Sequence, residues 1–443
     1  MLQKPANWRR LIPEQKRSLR MEAWVSGEAI SFENPEAKSK YQERAALFKD
    51  AIELKTAPTR VPVVVLPAAF ALRRVGIDQK ATMYDRWEDA GNSFVEFLND
   101  FEPDCSPLIF FRSGPSMELL GQTNMKWAGC GLPDDVQYQF LEQEYMKIDE
   151  YDHFINDPTD FILRVYWPRL NPALKGLKNL PRFSLRNIER GIAQLSFLDP
   201  ELQKALDLLR QSASLSIPMQ EVSMHFRAQF QVMGYPSFGG SFLTAPYDVL
   251  GDMLRGTRGI MTDLFRKPQK VISACEKIAV LTEIPDIPLG ESPLVVMPLH
   301  KGSEGFMSKE QYEKFYWPTF KQVMIDLIKE GLIPVPFAEG IFNDRLEFIT
   351  ELPHASTVWY FEQSDMHLVK DVLGDRCCIM GNVPISLMAT GTAGQVNACC
   401  QDLIDYCGRG GGFILAPSTQ IDDGREETIR ALIDFPKSYM GKS

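Results

Sequence analysis

Apolar positions in the last third of the chain gather into five short runs: Leu294–Leu299, Ile333–Phe337, Thr357–Phe361, Cys377–Met380 and Gly412–Ala416. Each is apolar on both sides of the alternation, the pattern of a strand covered on both faces. Between the runs the period lengthens to that of a helix. Ser308 and Gln311 have the spacing of a capping box. Phe320, Val323, Met324, Leu327 and Ile328 make one apolar stripe, which Gly331 ends. Pro318 breaks or kinks the same segment. Further helices are predicted from Ala393 to Tyr406 and from Arg425 to Ile433. Strand and helix in strict alternation, with short joints, imply parallel pairing through right-handed crossovers.

Upstream, Asn34-Pro35 opens a helix that runs to about Leu54, because Pro is pre-organised for the first helical position. Val63–Leu66 and Leu108–Phe111 have the composition of early strands. The stretch from 150 to 290 mixes helical patterns with many prolines and loops around Pro236 to Pro246, and contains no clean linker. No strand is followed by a Gly-rich phosphate loop, which favours a closed barrel over a doubly wound sheet. The expected architecture is α/β, a (β/α)8 TIM barrel over 61–443 with helical insertions, preceded by an N-terminal helical extension over 1–60.

A net charge of −10 argues against a nucleic-acid partner, since binding to a phosphate backbone rests on clustered Lys and Arg. The one basic stretch, Arg9, Arg10, Lys16, Arg17 and Arg20, reads as a solvated helix face, with a docking arm as the alternative. No apolar run has the length of a signal peptide or a membrane span, so no membrane association and a cytoplasmic location are expected. The eight cysteines form neither CxxC pairs nor zinc-ribbon spacings, and read as small buried apolar residues.

In a barrel, chemistry belongs at the C-terminal ends of the strands. Glu339 follows one such run and precedes Gly340. It is a candidate acid, base or oxygen ligand, with pairing to Arg345 as the alternative. His300 ends another run and could carry a proton or bind a metal through neutral imidazole. Glu362 and Asp365 follow a third; Asp365 is also a good helix cap for a helix starting near Met366. Asn382, in Gly-Asn-Val-Pro, could touch a ligand or make a turn. Asp365-Met-His367 mimics part of a cobalamin-binding signature, but Lys370 stands where that signature needs Gly. His153, His225 and His354 have no partner motif.

Arg255-Gly256 with Asp263 and Pro268, Met307-Ser308 through Pro318, Glu339-Gly340, Phe361-Glu362-Gln363-Ser364-Asp365, Gly374-Asp375, Gly381-Asn382-Val383-Pro384 and Gly411 to Leu415 occur in an order that resembles the uroporphyrinogen decarboxylase superfamily. The resemblance covers about residue 40 to the end. It implies a (β/α)8 barrel with either of two activities, decarboxylation of uroporphyrinogen or methyl transfer to or from a corrinoid protein. Against the decarboxylase branch, the N-terminal Arg-Gln-Ala-Gly-Arg pattern has no counterpart. Phe111-Arg112-Ser113-Gly114 replaces the decarboxylase aspartate, and Ser418-Thr419 replaces a Gly-His pair. The thiol-activating methyltransferases carry His-x-Cys and a later Cys for zinc, where this chain has Phe337-Ala338-Glu339 and Thr419. Zinc could then be held only by His300 and Glu339.

The resemblance therefore implies a methyltransferase working between a small molecule and a corrinoid carried by a partner protein. Glu339, His300 and Glu362 are its expected catalytic groups, and Asn382, Asp365, Thr419 and Ser418 its substrate contacts. An altered decarboxylase anchored by Arg112, Arg169, Arg255 and Arg258, or a non-catalytic binding barrel, are the alternatives. A homodimer is left open.

Overall fold

The computed structural model describes residues 2–56 and 59–439. Six parallel strands, Ser241–Phe242, Leu294–Leu299, Ile333–Ala338, Val358–Phe361, Cys378–Val383 and Phe413–Pro417, pair in sequence order, each with the next. The ring is completed by two segments too short to be ladders. Val63 bridges Leu415 in parallel, with Val64 N donating to Leu415 O at 2.9 Å. Ser106 bridges Ser237, and Val63 N donates to the Asp104 carboxylate at 2.9 Å. Pro62 and Pro107 flank these two positions and cannot donate, which keeps the first two strands to single bridges. The second bridge lies at Ser106, ahead of the expected Leu108–Phe111.

The five apolar runs are strands within a residue of their expected limits, except that Cys378–Val383 continues three residues past Met380. Their alternation sorts side chains into two cores. Val295, Met297, Leu299, Trp359, Phe361 and Leu415 point outward to the helices. Leu294, Ile333, Val335, Val358, Cys378 and Ile414 point into the ring and pack on Met21, Trp24, Tyr41 and Phe48. Helices Pro13–Ser26 and Pro35–Ile52 thus plug the N-terminal end of the barrel, and the extension shares a core with it.

This packing overturns the reading of a solvated face for Lys16 and Arg20, while Arg9 and Arg10 are exposed. Lys16 and Arg20 are buried. Lys16 pairs with Glu330 at 2.8 Å, and Arg20 donates to Ile287 O at 2.7 Å and Glu330 O at 2.9 Å. Six of the eight cysteines are buried, the other two half-buried, and all are unpaired thiols.

Asn34 caps its helix through Ala37 N, and Ser308 with Gln311 forms the capping box. Ahead of Pro318 the helix widens over Tyr312–Tyr316, which absorbs the missing donor, and then continues over Trp317–Lys329. The region from 150 to 290 holds a 33-residue helix, Pro200–Val232, that crosses Pro218. Its apolar residues are spread round its circumference and few are buried, so no stripe marks it. A small sheet, with Met125–Ala128 antiparallel to Tyr138–Phe140, is a further insertion. Among the described residues no helix is long and apolar enough to cross a membrane.

Candidate active site at the mouth of the barrel

Strand parity carries the inner face beyond the ladders. Pro298 and Phe337 line a cavity at the C-terminal end of the ring, and two residues further on so do His300 and Glu339. The cavity holds about 270 Å3. Its walls are largely apolar, part aliphatic and part aromatic. Phe337 and Tyr360 lie 4.5 Å apart and Phe110 and Phe242 5.4 Å, with Tyr138 of the small sheet lying over them. Arg112, Gln137, Thr419 and Gln420 are the other polar groups of the lining.

His300 Nε2 stands 3.5 Å from Glu339 Oε1. Its other ring nitrogen meets Asp252 at 2.6 Å. Asp252 in turn pairs with Lys301 at 2.8 Å, and Lys301 reaches Glu142 at 3.0 Å and Thr257 at 2.7 Å. The backbone is held from below. Buried Asp248 accepts from His300 N, Lys301 N and the Tyr316 hydroxyl.

The electrostatics follow. The hydrogen bond to Asp252 outweighs burial, and with the Glu339 charge it lifts His300 to about 9. Burial, opposed by His300 and reinforced by Glu362, raises Glu339 to about 7. Burial and the neighbouring Asp252 likewise push Asp248 to about 6. Partial burial would raise Asp252, but hydrogen bonds from His300 and Lys301 hold it below the usual carboxylate range. Near neutrality the site therefore holds an imidazolium beside a carboxyl that can give or take a proton.

The other expected contacts separate. Thr419 lines the cavity. Glu362 accepts from Gly340 N at 2.6 Å, so it braces the turn that carries Glu339 and is spent on backbone. Asn382 donates to Glu362 O and to Ser364 O, holding the turn that carries Glu362. Asp365 caps its helix through His367 N and Leu368 N, and Ser418 accepts from Ile385 N. Asn382, Asp365 and Ser418 thus engage the chain itself. Arg345 lies buried on Gly302 O and Met307 O, away from Glu339. His367 pairs with Asp402 and stacks on Tyr406, outside the cavity.

Zinc does not fit these residues. His300 and Glu339 converge without a third ligand, where a catalytic zinc needs three. Among the described residues no group of three or more His, Cys, Asp or Glu side chains is placed to hold a metal ion. Asp252 and Lys301 were not legible as site residues, although Asp248 and Asp252, four apart on one helical face, were a signal.

Fold and site together define an enzyme-type (β/α)8 barrel with one acid–base pair at its mouth. Residues 237–439 match the family model of uroporphyrinogen decarboxylase (URO-D). Over those residues the chain is similar to the uroporphyrinogen decarboxylase family. Among solved structures it is similar to a methyltransferase from Methanosarcina mazei, at 13% identity and a TM-score of 0.56, over 88% of this chain and 97% of that one. No curated protein matches the chain.

Proposed function

We propose that the chain is a methyltransferase that takes a methyl group from a small molecule seated in the barrel mouth and delivers it to a corrinoid carried by a separate protein. The observation that carries this reading is the Asp252–His300–Glu339 line opening into a largely apolar cavity. Removing a methyl group from oxygen or nitrogen leaves a strongly basic anion, so the leaving atom must be protonated as its bond to carbon breaks. Glu339, at about 7, is matched to that task near neutral pH. Its proton passes to the leaving atom, and the carboxylate left behind is steadied by the His300 imidazolium 3.5 Å away. Asp252 orients the ring and keeps it charged. A reduced corrinoid, when docked, supplies the nucleophile for the methyl carbon.

The decarboxylase reading has less support. Of its four expected anchors, Arg169 is paired with Glu150 and Arg255 with Asp263 and Glu144. Arg258 lines a different cleft, which leaves Arg112 alone at the mouth. The test is to mix the protein with reduced cobalamin and a panel of methyl ethers and methylamines, and to follow the cobalt absorption. Glu339→Gln should slow methylation by roughly 100-fold or more, the usual worth of a positioned acid. His300→Ala should slow it less and move the alkaline limb upward. Unchanged rates in both variants would leave a non-catalytic binding barrel, and carbon dioxide release from uroporphyrinogen would restore the decarboxylase.

A further inference from the structure

Arg112 lies at the mouth of the barrel. It sits at the end of the second barrel segment, and its backbone is fixed on both sides. Its N–H donates to Thr82 O at 3.0 Å, and its carbonyl accepts from the Trp87 indole at 3.2 Å. The guanidinium enters the same cavity as His300 and Glu339. Its Nε is buried with no hydrogen-bond partner, and the guanidinium lies over the face of Tyr138, 5.0 Å from the ring centre. Among the described residues no carboxylate pairs with it, in a chain that carries ten more acidic than basic residues. Arg60, Arg74, Arg169, Arg255 and Arg345 all have carboxylate partners.

An unpaired guanidinium held against apolar walls loses hydration without compensation, and its planar fork matches a carboxylate. The remaining charges of the site leave it as the surplus. His300 and Lys301 are offset by Asp252 and Glu142, and Glu339, with its midpoint at about 7, carries part of a negative charge near neutral pH. A dianion would be opposed by Glu339 and gain only one cation, so a single negative charge fits. Phe110, Tyr138, Phe242 and Phe337 line the cavity that Arg112 shares with the acid–base pair, and such walls suit a flat apolar body. We propose that Arg112 receives a carboxylate of the substrate, which makes the substrate an aromatic monocarboxylate with its methylated heteroatom at the far end, toward Glu339. This rests on the methyl-transfer reading for the far end; the carboxylate end stands on Arg112 alone.

The test is calorimetric titration of the full chain with para-methoxybenzoate, with its neutral isostere para-methoxybenzamide, and with benzoate, which has no methyl group to give. Para-methoxybenzoate should bind at least about tenfold more tightly than the amide, the scale of one charge-assisted bidentate pair. Arg112→Gln should lose about tenfold or more for both acids and leave the amide unchanged, with the circular dichroism spectrum intact. Arg112→Lys, which keeps the charge but loses the fork, should fall between. Equal affinity for acid and amide, an unaltered acid affinity in Arg112→Gln, or no saturable acid binding up to about 10 mM overturns the proposal. Benzoate separates the two readings. Arg112-dependent benzoate binding, without cobalt methylation from para-methoxybenzoate, sinks methyl transfer and keeps the carboxylate site. Methylation from neutral ethers but not from the acid does the reverse.

Discussion

Replacing Asp252 with Asn removes the strongest cause of the elevated His300 midpoint while keeping the side chain's shape. In the native site the ring is held at about 9 by the 2.6 Å bond to Asp252. Without that carboxylate, burial and the released Lys301 ammonium both oppose the charged ring, and only Glu339 and Asp248 still favour it. The midpoint should return to about 6.5 or below, the ordinary value for the imidazole. At about pH 7.5 the protonated fraction then drops from roughly 97% to roughly 10% or less. Stability follows in sign. A midpoint raised above the unfolded value stabilises fully below about 6.5, and that contribution is lost as pH rises through about 9. The ring is 42% exposed, so water screens the pair and the stability change is held to about 1 kcal/mol. The assay is a proton NMR titration of the histidine Cε1 signals, with His300 assigned by its disappearance in His300→Ala. A His300 midpoint that stays near 9 in Asp252→Asn would refute the electrostatic account of the site.

Asn382→Ala should lower both stability, by about 1–3 kcal/mol from two abandoned carbonyls, and turnover, because the turn bearing Glu362, which braces Gly340 beside Glu339, loosens; urea unfolding and the cobalt assay read the two effects. Asp365→Ala, which removes only a helix cap, should cost about 1 kcal/mol in the same urea titration and leave turnover alone; a loss of rate would return Asp365 to the site. Arg20→Ala should lower the unfolding free energy by about 2–4 kcal/mol, since Ile287 O and Glu330 O lose a charged donor inside the plug. Gly411→Ala should be among the most damaging single changes. Its φ is +81°, and a Cβ would lie 1.8 Å from Lys55 O, so a drop in melting temperature of several degrees is expected by calorimetry.

The five strands of the C-terminal half were legible because each is covered on both faces, and a continuous apolar run between turn signals has few other ways to be buried. The same runs placed His300 and Glu339 at strand ends, and strand parity then directs both inward. The first two barrel positions were hard to read because single bridges between prolines leave no ladder pattern. The helix Pro200–Val232 was hidden because few of its residues are buried and no apolar stripe forms. What the amino-acid order alone determined was local: periodicity, caps and the ends of strands, all set by neighbours a few residues apart. Tertiary structure decided which polar groups meet. Asp252 reaches His300 across 48 residues, and Lys301 reaches Glu142 across 159. Tyr138, from an inserted sheet, lies against Arg112. Charge coupling depends on distance in space, and only ring closure brings these segments within a few ångströms.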